Sequence, residues 1–379
     1  MKRLILKILA LLISALFPIN NKKIVFTSFM GRSYSCNPKA ISEELYKQCP
    51  EFKIVWLFNK ESKKNVPNYV KSVKRKSIKA MYELYTAKFW VDNFQKPKWT
   101  YKRKDQIYIQ TWHGDRSFKK ILYDSPNNTD KKAYIENKIC DVMVTGSTFG
   151  KKMLSSAFNY TGEFLEVGCP RNDILIQNDS MLRNKIKENL NISQNTNVLL
   201  FAPTYRRYLL NGEQTISNIN LPMIIDKLEK ISNRKWICLT RSHSNTNKLV
   251  FKEGTSEKMI DVSDYDDMAE LLLIADMLIT DYSSSAMDFV LRKKPIILFQ
   301  PDREEYMKKD RTFYIPIEDT PFLVAKSQDE LLEIISSLKE REVVQNCEDI
   351  MNFYGFYETG DASKRVVDYI IKNVNKVVY

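Results

Sequence analysis

Only two histidines occur among the 379 residues, His113 and His243. Each follows a short run of β-formers. His113 lies in Gln110-Thr111-Trp112-His113-Gly114-Asp115, and His243 in Leu239-Thr240-Arg241-Ser242-His243-Ser244. A neutral imidazole near pH 7 can accept a hydroxyl proton, and an imidazolium can offset phosphate charge. A lone histidine is more often a structural hydrogen-bonder. Two of them, both just past strands and in opposite halves of the chain, point instead to chemistry. Gly114 permits a tight turn beside the first.

The densest candidate segment runs from Ala275 to Phe289, with a strand ending at Thr280 and a helix beginning near Ser284. The unpaired amides of a helix's first turn, the hydroxyls of Ser283 and Ser284 and the helix dipole together suit a phosphate. A plain capping role for either serine is compatible with that. There is no Walker lysine and no GxGxxG, which disfavours ordinary P-loop or dinucleotide binding. Ala202-Pro203-Thr204-Tyr205-Arg206-Arg207 follows another strand, and Arg206 or Arg207 could clamp a phosphate bidentately. Asp302, Tyr306 and Arg311 follow a third. Asp264-Tyr265-Asp266-Asp267 invites a divalent-metal reading. An apolar run follows directly, however, so Asp266 or Asp267 is more simply a helix cap.

The elements that must position these residues alternate. Strands are expected at Ile24–Ser28, Phe52–Phe58, Phe89–Asn93, Ile107–Thr111, Asp141–Thr145, Val198–Ala202, Trp236–Thr240, Met277–Thr280 and Ile296–Gln300. Helices are expected between them, among others at Ile174–Leu190, Pro222–Ser232, Met268–Ala275 and Ser285–Arg292. This rhythm argues for parallel sheets covered by helices, in two units facing a cleft. Open parallel sheets bind ligands at the carboxyl ends of their strands, where every candidate above lies. Gly168-Cys169-Pro170 punctuates the pattern and marks the boundary between units.

Apolar residues make up 44% of the chain and charged residues 28%, so a folded protein is expected rather than disorder. Six scattered cysteines without a CxxC pair argue against a disulfide framework or zinc site and suit a reducing compartment. The net charge of +13 is one-sided. Residues 1–150 carry 29 Lys/Arg against 12 Asp/Glu, a balance of +17, and the remainder 30 against 34, a balance of −4. Such a field suits an anionic partner, if it is not simply a solvated surface. The apolar run Leu4–Phe17 is shorter than the roughly 20 residues a span needs and is interrupted by Lys7. It reads as an interfacial helix flanked by lysine and arginine. The alternative is a helix docked on the protein's own core.

Six ordered pieces resemble the CDP-glycerol glycerophosphotransferases of teichoic acid synthesis. They are Thr111-Trp112-His113-Gly114; Gly168-Cys169-Pro170-Arg171-Asn172-Asp173; Ala202-Pro203-Thr204-Tyr205-Arg206; Arg241-Ser242-His243; Ile279-Thr280-Asp281-Tyr282-Ser283-Ser284; and Lys294-Pro295-Ile296-Ile297 with Asp302, Tyr306 and Arg311. The match runs from about Gln110 to Tyr314. Asp115, Ser244 and Thr312 depart from the residues common at their positions in that family.

The resemblance implies an α/β, GT-B-like fold of two Rossmann-like parallel-sheet domains facing a cleft. Residues 1–19 would be a membrane-associating helix, 20–170 the acceptor-side domain, and 171–379 the CDP-donor-binding domain with terminal helices. His113 and His243 are the implied catalytic residues. Arg206, Arg241, Asp281, Ser283, Ser284 and Arg311 would bind the donor, with Gly114 and Asp115 on the acceptor side. The donor would be CDP-glycerol or CDP-ribitol. The acceptor would be a lipid-linked teichoic acid or capsule polymer, a glycan or polyol phosphate, and CMP would leave. No cofactor is firmly implied; a divalent metal stays open but is not expected to be held by the protein, and nucleic acid is not expected as a partner. The chain would sit peripherally on an anionic membrane surface, at the cytoplasmic face. Two alternatives remain at this point. One is a glycosyltransferase of the same fold using a nucleotide sugar. The other is a non-catalytic anionic-polymer-binding protein, which would not need two edge histidines and a serine-rich strand–helix turn.

Overall fold

A computed structural model describes residues 2–59, 66–126, 134–204, 206, 219–242 and 257–375, with side chains from residue 6 onward. Two parallel sheets organise them. The first holds β1 (Asn20–Thr27), β2 (Lys53–Phe58), β3 (Lys71–Lys74), β4 (Ala87–Asp92), β5 (Ile107–Gln110), β6 (Val142–Thr145) and β7 (Glu163–Glu166), in the order 3-2-1-4-5-6-7. The second holds β8 (Asn197–Phe201), β9 (Trp236–Thr240), β10 (Met259–Asp261), β11 (Met277–Thr280), β12 (Ile296–Phe299) and β13 (Leu323–Ala325), in the order 10-9-8-11-12-13. Each order reverses once, between β1 and β4 and between β8 and β11, the points at which open parallel sheets bind ligands. The central strands are apolar runs because helices cover both faces; all six residues of β4 are buried.

The predicted helix Ile174–Leu190 is two. Asn178 adopts a left-handed conformation (φ 49°) and ends the first at Gln177; the Asp179 carboxylate then accepts from Met181 N at 2.8 Å and caps the second, Ser180–Asn189. The last helix, Ala362–Lys372, returns to the first sheet, where Val366, Val367 and Ile370 pack with Ile24, Phe89 and Ile109. The first unit therefore takes in a segment from the chain's end, and the expected division at residue 171 is not linear.

At the other end α1 (Lys2–Leu16) docks by one stripe. Leu6, Leu9, Ala10 and Ile13 face the protein, with Ala10 and Ile13 packed among Val25, Val55 and Trp90. This is the i, i+3, i+4, i+7 spacing of one helix face. The other face stays out: Ile8, Leu11, Leu12 and Leu16 are exposed, with Leu16 72% accessible. Among the described residues no helix is long and apolar enough to cross a membrane.

Candidate active site

His113 follows β5 on a distorted turn. Trp112 before it has φ 49°, a conformation costly for a bulky residue and seldom retained away from functional sites. The imidazole stacks on Phe94 (5.5 Å, 7°) and meets Trp112 at 4.2 Å and Phe29 at 5.3 Å. Its Nδ1 lies 2.6 Å from the carbonyl oxygen of Asn93. A carbonyl can only accept, so Nδ1 carries the proton and Nε2 is the basic nitrogen. Asn93 is itself fully buried at the end of β4. Its Oδ1 accepts from Phe29 N at 2.7 Å, and its Nδ2 donates to Ser28 Oγ at 3.1 Å. One amide side chain thus ties together the loops after β1 and β4, and the carbonyl of the same residue orients the imidazole.

The adjacent glycine closes the cleft. A Cβ on Gly114 would lie 2.9 Å from Ser284 Oγ, so no larger residue fits there without displacing that hydroxyl. The histidine turn of the first sheet therefore abuts the serine turn of the second. Ser283 Oγ accepts from Ser285 N (3.3 Å) and Ser285 Oγ (2.9 Å). Ser284 heads the short helix Ser285–Phe289 but makes no side-chain capping bond, so that serine is not the plain cap that the sequence allowed.

Asp115 is placed differently from expectation. It is 1% exposed, beneath the loop rather than on the cleft wall. Its Oδ2 accepts from Gly146 N (2.6 Å) and Thr145 Oγ1 (3.0 Å), and its Oδ1 lies 3.2 Å from Arg116 Nε. Burial opposes its charge, yet Arg116 and the Gly146 amide outweigh this and hold its pKa below the ordinary value. Arg116 reaches Glu358 at 2.7 Å, and Arg171 chelates Asp288 at 2.9 and 3.0 Å. Asn172 Nδ2 bridges Asp288 and Glu358, each at 3.1 Å. This buried network joins the histidine loop, the inter-sheet segment and the helix after the serine turn. Burial and the neighbouring Asp115 raise the Glu358 pKa despite Arg116. Nothing local in the sequence marks Glu358, which lies 242 residues from its partner.

Arg206 and Asp281, expected at the donor, are also turned inward. The Arg206 guanidinium is fully buried against the stacked pair Tyr282 and Tyr306, 4.7 Å from each ring centroid, with the two centroids 4.0 Å apart. Its Nε and Nη2 donate to the two Asp302 oxygens at 2.7 and 3.1 Å, and its Nη1 to Asp281 Oδ2 at 2.8 Å. Asp281 further accepts from Thr204 N, bridging the loops after β8 and β11. This mirrors what Asn93 does in the first sheet. The physical reason for the correction is direction. A position after a strand puts a residue on the ligand edge, but two adjacent carboxylates draw this arginine beneath it.

Three polar atoms just past the strand ends lack partners of their own among the described residues. Thr204 Oγ1, Arg241 Nη1 and Ser242 Oγ are buried and find no hydrogen-bond partner among the described residues. All three follow β8 or β9, and buried polar atoms left this way suit a polar ligand. Burial lowers the Arg241 pKa, with Asp267 and Asp266 opposing. The Asp267 carboxylate caps the helix Met268–Ile274, accepting from Ala269 N, and pairs with Lys39 across the cleft at 2.9 Å. Arg311 lies half-buried, with Asp310 at 3.8 Å. Its neighbour Thr312 accepts through its carbonyl from Lys120 N, stitching the units together. His243 lies outside the described residues. Among the described residues no group of three or more His, Cys, Asp or Glu side chains could hold a metal ion.

The overall fold is shared with proteins of known type. The solved structure of the wall teichoic acid polymerase TagF superposes with a TM-score of 0.84 at 30% identity, covering 97% of this chain and 94% of that one. A teichoic acid poly(glycerol phosphate) polymerase from Bacillus spizizenii is 33% identical over 95% of this chain and 94% of its own length. One from Bacillus subtilis is 31% identical, and the chain spans 49% of that protein. The family profile for CDP-Glycerol:Poly(glycerophosphate) glycerophosphotransferase matches residues 9–372. With that match running through both sheets and both turns, the chain belongs to the CDP-glycerol:poly(glycerophosphate) glycerophosphotransferase family.

Proposed function

We propose that the chain transfers glycerol phosphate, or ribitol phosphate, from a CDP-alditol to a hydroxyl at the end of a lipid-linked teichoic acid or capsule polymer. His113 Nε2 takes the proton of the acceptor hydroxyl. The oxygen attacks the donor's β-phosphorus in line, the bond to the bridging oxygen breaks, and CMP leaves. Arg241, Ser283, Ser284 and the amides that follow them, with His243 and Arg311, stabilise the diphosphate charge. Charge stabilisation and positioning carry most of the rate in such chemistry. The observation that carries the reading is the meeting of Gly114 and Ser284, which brings the imidazole turn and the serine turn together. Arg206, Asp281 and Asp115 take positioning roles behind the surface.

The reading extends to a peripheral site at the cytoplasmic face of the membrane. The exposed face of α1 supports it. That face is continued by Phe17, which meets Tyr82 edge-to-face at 5.1 Å, and by the exposed Ile78. Apolar side chains rimmed by lysines suit burial at a headgroup boundary. Six unpaired cysteines fit a reducing compartment.

Incubating the protein with CDP-glycerol, CDP-ribitol and UDP-sugars tests the donor class. CMP released only from the CDP-alditols supports the reading, and turnover of a UDP-sugar alone overturns it. For the membrane, removal of residues 1–19 should abolish flotation with vesicles. Full retention by the truncated chain would refute the role of α1.

A further inference from the structure

A polar cavity lies at the opposite end of the first sheet, away from the candidate active site. It has a volume of about 840 Å³ and opens between the end of α1, the helix Ile78–Thr86 and the amino ends of β1, β2 and β3. The strands begin at Asn20, Lys53 and Lys71, all on its wall, whereas His113 lies past a carboxyl end. Along the eight residues of β1 the separation is about 25 Å.

Its chemistry is that of an anion site with one charge to spare. Lys23 is buried, with Nζ 2.9 Å from Glu83, 2.6 Å from Thr86 Oγ1, and 4.8 Å from the Tyr82 ring centroid. Lys71 reaches the other Glu83 oxygen at 2.5 Å. Burial disfavours the Glu83 charge, but Lys71 and Lys23 outweigh it and keep the carboxyl ionised. Lys53 makes no ion pair among the described residues. Three lysines thus face two carboxylates on the wall, Glu83 and Glu51, the latter also 3.2 Å from the Lys22 ammonium outside it. The lining offers no histidine or cysteine, so the cavity suits binding rather than reaction.

The mouth decides what would bind. Phe17 and Tyr82 line the cavity and are exposed, and they continue the outward apolar face of α1. A polar cavity with one surplus positive charge, opening onto an apolar patch, matches a molecule with a singly charged head and an apolar tail. We propose that this cavity seats the phosphodiester headgroup of an anionic bilayer phospholipid. Its phosphate faces Lys53 and Lys71, its hydroxyls face Glu83 and Thr86, and its acyl chains pass over Phe17 and Tyr82. The inference rests on the membrane reading of α1 but is separable from it, because headgroup recognition and apolar insertion have different readouts.

The test compares full-length protein on phosphatidylcholine vesicles with and without phosphatidylglycerol. Soluble dihexanoyl phosphatidylglycerol, glycerol phosphate and inorganic phosphate serve as calorimetric probes without a bilayer. Lys53→Gln with Lys71→Gln removes two charges from the cavity, and Lys74→Gln with Lys76→Gln removes two from the neighbouring exposed surface. Each lysine near an anionic surface changes affinity severalfold, so the cavity pair should lose its phosphatidylglycerol preference by roughly tenfold or more. It should still bind plain phosphatidylcholine through α1, and it should no longer bind the short-chain lipid. The surface pair should keep the short-chain lipid at wild-type affinity. Equal loss in both pairs would mean a diffuse field and overturn the site. Equal affinity for inorganic phosphate and the short-chain lipid would overturn the lipid assignment. If no vesicle binds at all, the membrane reading falls. Binding of short-chain lipid that depends on Lys53 and Lys71 would then still support the cavity.

Discussion

Replacing Arg206 with alanine separates two roles that the sequence alone leaves merged. If the guanidinium clamps donor phosphate, its loss should weaken CDP binding and spare the fold. The structure assigns it the opposite role. The side chain is fully buried and makes four hydrogen bonds: two to Asp302, one to Asp281 and one to the Thr204 carbonyl. Truncation strands a fully buried Asp281 carboxylate and a partly exposed Asp302, and leaves a void beside the stacked Tyr282 and Tyr306. Removing one partner of a buried ion pair costs about 3–5 kcal/mol. Because Asp302 can recover water and Asp281 keeps the Thr204 amide, a loss of about 3 kcal/mol is expected. Lysine keeps the charge but not the fork, and should cost about 1–2 kcal/mol. Urea unfolding measures the loss. Calorimetric titration of CDP, at a temperature where the variant remains folded, should give an affinity within about threefold of wild type, or about 0.7 kcal/mol. An unchanged unfolding midpoint with CDP affinity lowered tenfold or more would refute the strut assignment and restore the clamp.

Three further outcomes are expected. His113→Ala should lower transfer by about 10²–10⁴-fold with CDP affinity retained; activity within threefold of wild type would remove the imidazole from the mechanism. Gly114→Ala places a methyl 2.9 Å from Ser284 Oγ, so transfer should fall roughly ten- to a hundredfold. Its unfolding free energy should change by under about 1 kcal/mol, and unchanged kinetics would show that the two turns need not meet. Burial, with Asp92 adding to it, raises the pKa of the fully buried Glu136 from 4.5 to about 6. The native state thus holds this proton more tightly than the unfolded chain. Its stabilising contribution is complete below about pH 4.5 and disappears as pH rises through 6. Glu136→Gln should therefore gain about 2 kcal/mol on wild type between pH 4.5 and 7.5. Unfolding curves at both ends check this, and a pH-independent difference would refute it.

The strands were legible where they are buried on both faces. All nine expected from sequence occur, within a few residues at their ends. The four missed, β3, β7, β10 and β13, are the edges of the two sheets. An edge strand needs less apolar surface, and Lys71-Ser72-Val73-Lys74 or Glu163-Phe164-Leu165-Glu166 reads as loop. The helix break at Asn178 was visible only as an Asn-Asp pair inside an apolar pattern. In the candidate site, His113, Gly114, Ser283 and Ser284 stood out because a strand, then a turn, set them at the ligand edge. Side-chain direction did not stand out. Arg206 and Asp115 face inward because their partners, Asp302 for the first and Arg116 with the Gly146 amide for the second, lie beneath the edge. Asn93 is invisible in sequence, since its decisive contact is through a backbone carbonyl.

The most direct test of the central claim is the identity of the nucleotide released when the full-length chain turns over CDP-glycerol with a polymer acceptor. Attack at the β-phosphorus must leave CMP, with glycerol and its phosphate both on the polymer. Attack at the alditol carbon, the course of a glycosyltransferase, must leave CDP. The account predicts CMP in one-to-one proportion with the glycerol phosphate transferred, and its disappearance in His113→Ala. Release of CDP, or CMP formation untouched by that substitution, would contradict it.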